Sequence, residues 1–105
     1  MVTKPFRILY APHIREHLMV INRKYHLSIR KAIEELLCYE PDVKSTNRKP
    51  LKFSSQYGEW ELRFGEKNRF RVIYRFSTRS REVFIGAIGE KRGDRLFVGG
   101  EEVKL

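Results

Sequence analysis

The chain has 105 residues, enough for one domain with a modest core. Hydrophobic residues make up 41% and aromatics 12%, which excludes a disordered chain. Against 13 Asp and Glu stand 22 Lys and Arg, a net charge of +9, so a polyanionic partner is expected: nucleic acid or an acidic protein segment. No stretch approaches the ~20 apolar residues of a membrane span, and residues 1–6 hold no apolar run of signal-peptide length. The single cysteine, Cys38, has no internal partner, which fits a reducing cytoplasm.

In chain order, residues 6–10 read as a short strand. Pro12 suits the first turn of a helix, and Ile14, Leu18, Ile21 and Tyr25 recur at helical spacing. Ser28 is placed to cap a second helix with Ile29, Ala32, Ile33, Leu36 and Leu37 on its apolar stripe, stopped by Pro41. Two adjacent amphipathic segments predict an antiparallel helical hairpin. Residues 42–58 carry Ser, Thr, Asn, Pro and Gly and read as a loop, with the basic cluster Arg48-Lys49-Pro50-Leu51-Lys52 inside it. From Glu59 onward the period is two. Trp60, Leu62 and Phe64 alternate with Glu59, Glu61 and Arg63, and Phe70, Val72, Tyr74 and Phe76 with Arg69, Arg71, Ile73 and Arg75. Residues 82–88 are apolar on both faces and predict a central strand. Residues 95–98 predict a short one, ended by Gly99-Gly100. The expected class is α+β, with the N-terminal strand and helical hairpin packed on a twisted antiparallel meander, in one domain spanning residues 1–105.

The parity of the hairpin predicts its register. Paired side chains share a face, so Phe64 should oppose Phe70, Leu62 Val72 and Trp60 Tyr74 across a five-residue loop. The other face then sets Arg63 against Arg71, Glu61 against Ile73 and Glu59 against Arg75. A like-charge pair is unfavourable there unless an anion lies between the guanidiniums, and arginine's planar fork suits phosphate oxygens. A solvated face of splayed side chains is the plainer alternative. Residues 44–81 hold eleven Lys or Arg and three Glu, so the positive charge is concentrated as phosphate binding requires.

Other constellations carry less. His13 and His17 share a helix face at i, i+4, but no third metal ligand is evident, and packed or solvated histidines are the expectation. Ser54-Ser55 and Ser77-Thr78 lack the context of a nucleophile elbow. Cys38 reads as a half-buried helix end and Trp60 as core.

Trp60-Glu61-Leu62-Arg63-Phe64-Gly65 followed by Phe70-Arg71-Val72-Ile73-Tyr74 resembles the "W-x-L-R-x-G … Y-R-V-I-Y" hairpin of RelE/ParE-type toxins of toxin–antitoxin systems. Lys49-Pro50-Leu51-Lys52 is similar to that family's "K-x-L-x-G" segment, and Ile88-Gly89-Glu90-Lys91-Arg92 to its "I-G-x-R" segment. The resemblance implies a RelE-like fold, a cognate antitoxin, and no metal or cofactor. RelE-like members cut messenger RNA on the ribosome by attack of a ribose 2′-OH on the adjacent phosphate; ParE-like members act on DNA gyrase instead. Carried over residue by residue, the cleavage candidates are Lys49, Lys52, Arg63, Arg71, Lys91 and Arg92. Arg48, Arg69, Arg75, Arg95 and Phe97 are the further RNA-binding candidates. Where some RelE-type enzymes have a Val-Tyr pair, this chain has Leu96-Phe97, and Phe97 transfers no proton but can stack on a base. Tyr57 and Glu90 are candidate replacements for the missing acid or base.

Overall fold

The computed structural model describes residues 4–104; residues 1–3, half of the segment inspected for a leader, and residue 105 lie outside the described residues. Nine regular elements follow in order: β1 (Arg7–Tyr10), α1 (Ile14–Met19), α2 (His26–Leu37), β2 (Arg48–Ser55), β3 (Gly58–Phe64), β4 (Phe70–Ser77), β5 (Glu82–Arg92), β6 (Arg95–Val98) and β7 (Glu101–Val103), with single 3₁₀ turns at Arg23–Tyr25 and Glu66–Asn68. Strands β2 to β7 pair with their neighbours in chain order and all antiparallel, while β1 joins β5 in parallel. Among the described residues no helix is long and apolar enough to cross a membrane.

The expected α+β arrangement with a helical hairpin is not what forms. Strand accounts for 45% of the described residues and helix for 24%, and the six-strand antiparallel sheet curls into a half-barrel with one substantial helix, α2. The spacing of Ile14, Leu18, Ile21 and Tyr25 is met by three different local structures. The α-helix stops at Met19, and Asn22 accepts from the Lys24 N–H at 3.0 Å to cap a separate 3₁₀ turn. A short polar side chain that bonds its own backbone competes with helix continuation. The six-residue α1 packs on β5 rather than pairing along α2. Ser28 lies inside α2, which begins at His26 without a side-chain cap.

The predicted loop 42–58 contains an eight-residue edge strand, β2. Its residues alternate poorly because an edge strand here buries almost nothing, and Pro50 is tolerated because an edge strand need not donate outward. The ladder shifts between Pro50 and Ser55. Strand β7 follows Gly99-Gly100, where the sequence suggested an end.

The hairpin register is as parity predicts. Trp60 pairs with Tyr74, Glu61 with Ile73, Leu62 with Val72, Arg63 with Arg71 and Phe64 with Phe70; the ladder stops before Glu59 reaches Arg75. Next to it, Ile73 pairs with Ala87 but Tyr74 with Ile85, so Gly86 is an extra residue in β5. This bulge moves Val83 and Ile85 onto the face of Ile88, where they meet Ile14, Ile29, Ile33 and Leu37 in the main core. Only glycine fits there, because a Cβ on Gly86 would lie 1.8 Å from the Tyr57 carbonyl oxygen. On the other face, Ile73, Ala87 and Val98 form a second cluster flanked by Leu51 of β2 and Val103 of β7. On a flat sheet those flanks, five strand spacings apart, would be about 24 Å from each other at ~4.8 Å per strand, so the curl is what lets them share a cluster. Tyr74, fully buried, donates to the Pro41 carbonyl at 2.7 Å and ties the exit of α2 to the sheet; burial pushes its phenol well above the ordinary tyrosine value.

Strand β5 exchanges partners along one edge. Residues 82–85 pair with β1 and residues 89–92 with β6. The interval between them is closed by the start of α1. Ala11 N–H donates to the Ile85 carbonyl at 3.0 Å, His13 Nε2 sits 2.6 Å from the Gly86 carbonyl, and the Ile88 N–H donates to His17 Nδ1 at 3.2 Å. The i, i+4 histidines therefore complete a sheet edge, which satisfies backbone groups that burial would otherwise orphan. His17 is buried at 7% exposure. Burial pulls its imidazole below the ordinary value of 6.5; the nearby His13 adds to this and Glu16 opposes it.

Protonation of His17 removes the acceptor for Ile88. Because its folded value is depressed, the unfolded chain binds the proton first as pH falls. The stabilisation is complete above about pH 6.5 and is lost as pH falls through the folded value. Thermal unfolding followed from about pH 7.5 down to about pH 5 should show a falling Tm. His17→Asn, whose amide oxygen can replace Nδ1 without titrating, should start lower and fall less.

Candidate anion-binding face

The face of the sheet away from the helices carries a defined lattice of side chains. One row across the strands is Lys49, Glu61, Ile73 and Ala87; the next is Arg63, Arg71, Gly89 and Val98; Lys91 begins a third with Leu96. Lys49, Arg63, Arg71 and Lys91, from β2, β3, β4 and β5, thus face the same side.

The Arg63–Arg71 pair forms, and the anion between the two guanidiniums is a carboxylate of the chain itself. Glu61 Oε1 accepts from Arg63 Nε at 2.6 Å, and Glu61 Oε2 lies 3.9 Å from Arg71 Nη1. Residues two apart in a strand share a face, so Glu61 flanks Arg63 and reaches diagonally to Arg71. Glu61 and the Arg71 side chain are both at least nine-tenths buried. Arg71 Nε is buried without a hydrogen-bond partner. Burial pulls the Arg71 guanidinium below the ordinary arginine value, the Arg63 charge adds to this, and Glu61 opposes it. One carboxylate balances two guanidiniums, and the exposed Lys49 and Lys91 add further positive charge. Leu96 and Val98 fold close over Gly89, where a Cβ would meet both within 3.0 Å, and so bound the patch on the β6 side.

The remaining candidates go elsewhere. Lys52 lies on β2 within the irregular stretch between Pro50 and Ser55, its ammonium 5.7 Å from the centre of the exposed Phe53 ring. Arg48 faces the helix side, where it donates to the carbonyls of Leu36 and Val43 and pairs with Glu40 at 3.5 Å, clamping the end of α2 to β2. Its role is structural. Arg69, Arg92 and Phe97 cluster on the helix side around Glu90. Arg69 Nε donates to Glu90 Oε2 at 2.7 Å while its guanidinium stacks on Tyr25; Arg92 lies 3.6 Å from Glu90 Oε1 and 5.3 Å over the Phe97 ring. Arg69, Glu90, Lys91 and Arg92 line a cleft of about 990 Å³ against the turn after α1. Arg95 pairs with Glu102 at 3.7 Å. Arg75 stays on the basic face but one row past Ile73, paired with Phe84.

Six cleavage candidates therefore separate into a sheet-face group (Lys49, Arg63, Arg71), Lys91 in register with that face but also bordering the cleft, an edge residue (Lys52) and a cleft residue on the opposite face (Arg92). Tyr57 packs edge-on against both His13 and His17, and Glu90 is held by two arginines. The role of Glu61 escaped the sequence reading, although the i, i+2 spacing of Glu61 and Arg63 was its signal. No protein-family model and no curated protein matches the chain.

Neutralising the bridge should expose the like-charge pair. Glu61→Gln is expected to lower unfolding free energy by ~1–3 kcal/mol in urea titrations, the range for leaving a buried polar partner unpaired. Added inorganic sulfate should recover part of the loss in this variant and little in the wild type, because the anion replaces the missing charge.

Proposed function

We propose that the chain is a RelE/ParE-like toxin of a toxin–antitoxin pair, acting in the cytoplasm as a metal-independent endoribonuclease on ribosome-bound messenger RNA. The observation that carries this reading is the register that gathers Lys49, Arg63, Arg71 and Lys91 on one face around the buried Glu61. Four cations on one curled surface attract a phosphate backbone, and two guanidiniums supply the forked donors that phosphate oxygens accept.

The chemistry follows from the groups present. The ribose 2′-oxygen attacks the adjacent phosphorus, and the bond from phosphorus to the 5′-oxygen breaks, leaving a 2′,3′-cyclic phosphate and a 5′-hydroxyl. The 2′-hydroxyl proton passes to solvent water, and the exposed Lys49, the cross-strand partner of Glu61, protonates the departing 5′-oxygen. Arg63 and Arg71 neutralise the charge that grows on the phosphoryl oxygens, an effect worth several kcal/mol in a preorganised site. Arg71 is buried, with its Nε free of any hydrogen-bond partner, so a donor remains for a phosphoryl oxygen.

One observation favours a second reading. Arg92 and Phe97 lie across the sheet from Arg63 and Arg71, and Phe97 lacks a transferable proton. A toxin that grips a protein target such as DNA gyrase needs no such constellation. In either reading a cognate antitoxin is the expected partner.

Inducible expression in bacteria separates these readings. Wild type is compared with Arg63→Ala and with Arg71→Met, whose unbranched apolar chain fills the buried space, after circular dichroism confirms folding. Growth arrest with new 5′-hydroxyl ends on translated messages, lost in both variants, is the expected result. Arrest with intact messages points to the protein target, and no arrest overturns the toxin reading.

A further inference from the structure

Beyond the Ile73–Ala87 patch the same face opens into a second cleft of about 410 Å³, walled by the end of β1, the β2–β3 turn and the start of β5. This volume lies within the ordinary range of small-molecule sites. No acidic residue lines it, whereas Arg75 and His13 do. Arg75 is exposed and has no ion pair among the described residues, unlike Arg63, Arg69, Arg71, Arg92 and Arg95. An unneutralised guanidinium in a concave site without carboxylates suits an anion.

The walls are aromatic. Tyr10 at 40% and Phe84 at 37% exposure leave ring surface in solvent, and Tyr57 stands behind them. Phe84 belongs to the central strand, where a large side chain left half in water is uncommon without a ligand to cover it. The Gly86 bulge shapes the cleft: it turns Phe84 to the side of Arg75 and admits the Tyr57 carbonyl against β5. Bulges of this kind recur beside functional sites because they re-aim a side chain. Polar groups for recognition are also present. His13 Nε2 must carry its proton to donate to the Gly86 carbonyl, which leaves Nδ1 as an acceptor in the neutral ring, and the Gln56 amide offers both a donor and an acceptor.

Planar apolar walls, one free cation and a few mixed polar groups match a nucleotide: a base to stack, a phosphate to pair and base edges to read. Arg75 lies four residues beyond Arg71 on the same face of β4, about 13 Å away at strand rise, so one strand can touch both. We propose that this cleft is a subsite for one nucleotide of a single-stranded RNA, its base stacked against Phe84 and Tyr10 and its phosphate on Arg75. The subsite rests on the RNA reading of the neighbouring face and extends it by a base-recognition element that the arginine face lacks.

The test uses the full chain and a labelled short oligoribonucleotide, read by fluorescence anisotropy across a salt series. Phe84→Ala should weaken binding about ten-fold, as loss of one stacked base does. Arg75→Gln should weaken it and reduce the salt slope by about one. Both residues are exposed, so these variants keep the fold. Lys49→Ala/Arg63→Ala reports on the arginine face separately. Wild-type binding that falls in this double variant but is unchanged in Phe84→Ala and Arg75→Gln overturns the subsite and leaves the RNA reading standing. A wild-type chain that binds no oligoribonucleotide overturns both. In that event, amide shifts around Tyr57 and Phe84 on titration with adenosine monophosphate would reassign the cleft to a free nucleotide.

Discussion

Along one edge of β5 the backbone between Ile85 and Gly89 has no strand beside it, and two histidines stand in for one. β1 runs parallel to the first half of β5 and β6 antiparallel to the second. Parallel and antiparallel ladders have different hydrogen-bond spacing, so the two cannot simply abut. His13 takes the Gly86 carbonyl and His17 the Ile88 N–H, closing the interval with side chains. This requirement brings α1 onto the sheet edge with two histidine rings pointing at β5. It also ties the start and middle of α1, at His13 and His17, to a strand rather than to a partner helix.

The Gly86 bulge belongs to the same device. It offsets β5 against β4 by one residue, so Val83, Ile85 and Ile88 all reach the helix-covered core while Phe84 and Ala87 face the other way. A bulge also sharpens twist. The curl that results brings Leu51 and Val103 from opposite ends of the sheet onto one small cluster. The basic rows lie on this curled face, partly sheltered, which is why Arg71 is buried in a sheet side that would otherwise be solvated.

Burial changes what the arginines mean. On an open face, Arg63 and Arg71 would splay into water and contribute little. Here they share Glu61, which is buried with Arg71, so removing Glu61 leaves two guanidiniums without a counter-charge. The same logic makes a second unit on the other side, Arg69–Glu90–Arg92. A chain with net charge +9 thus arranges two arginine–glutamate–arginine sets on the two sides of the sheet.

Local periodicity sufficed for part of this. The alternation from Trp60 to Phe76 specified the hairpin and its five ladder pairs, because a one-residue slip would expose every apolar side chain. The Arg63–Arg71 pairing followed from the same parity. The apolar stripe of α2 was legible through Ile29, Ile33 and Leu37, and the lone Cys38 lies half-buried at the helix end as read. The region 12–25 was misread because a spacing of three or four suits a helix and a chain of turns alike, and what chose between them was bonding to β5, over seventy residues away. Strand β2 was hidden because an edge strand buries too little to show a pattern. The candidate residues were chosen by type and motif, but which of them share a face depends on how β2, β5 and β6 pair and on the bulge. The hairpin, the α2 core stripe and the concentration of charge were legible because each rests on neighbours in the chain. The half-barrel, the histidine-closed edge, the Glu61 bridge and the separation of Arg92 and Phe97 from Arg71 were not, because each depends on groups that meet only when distant strands pair.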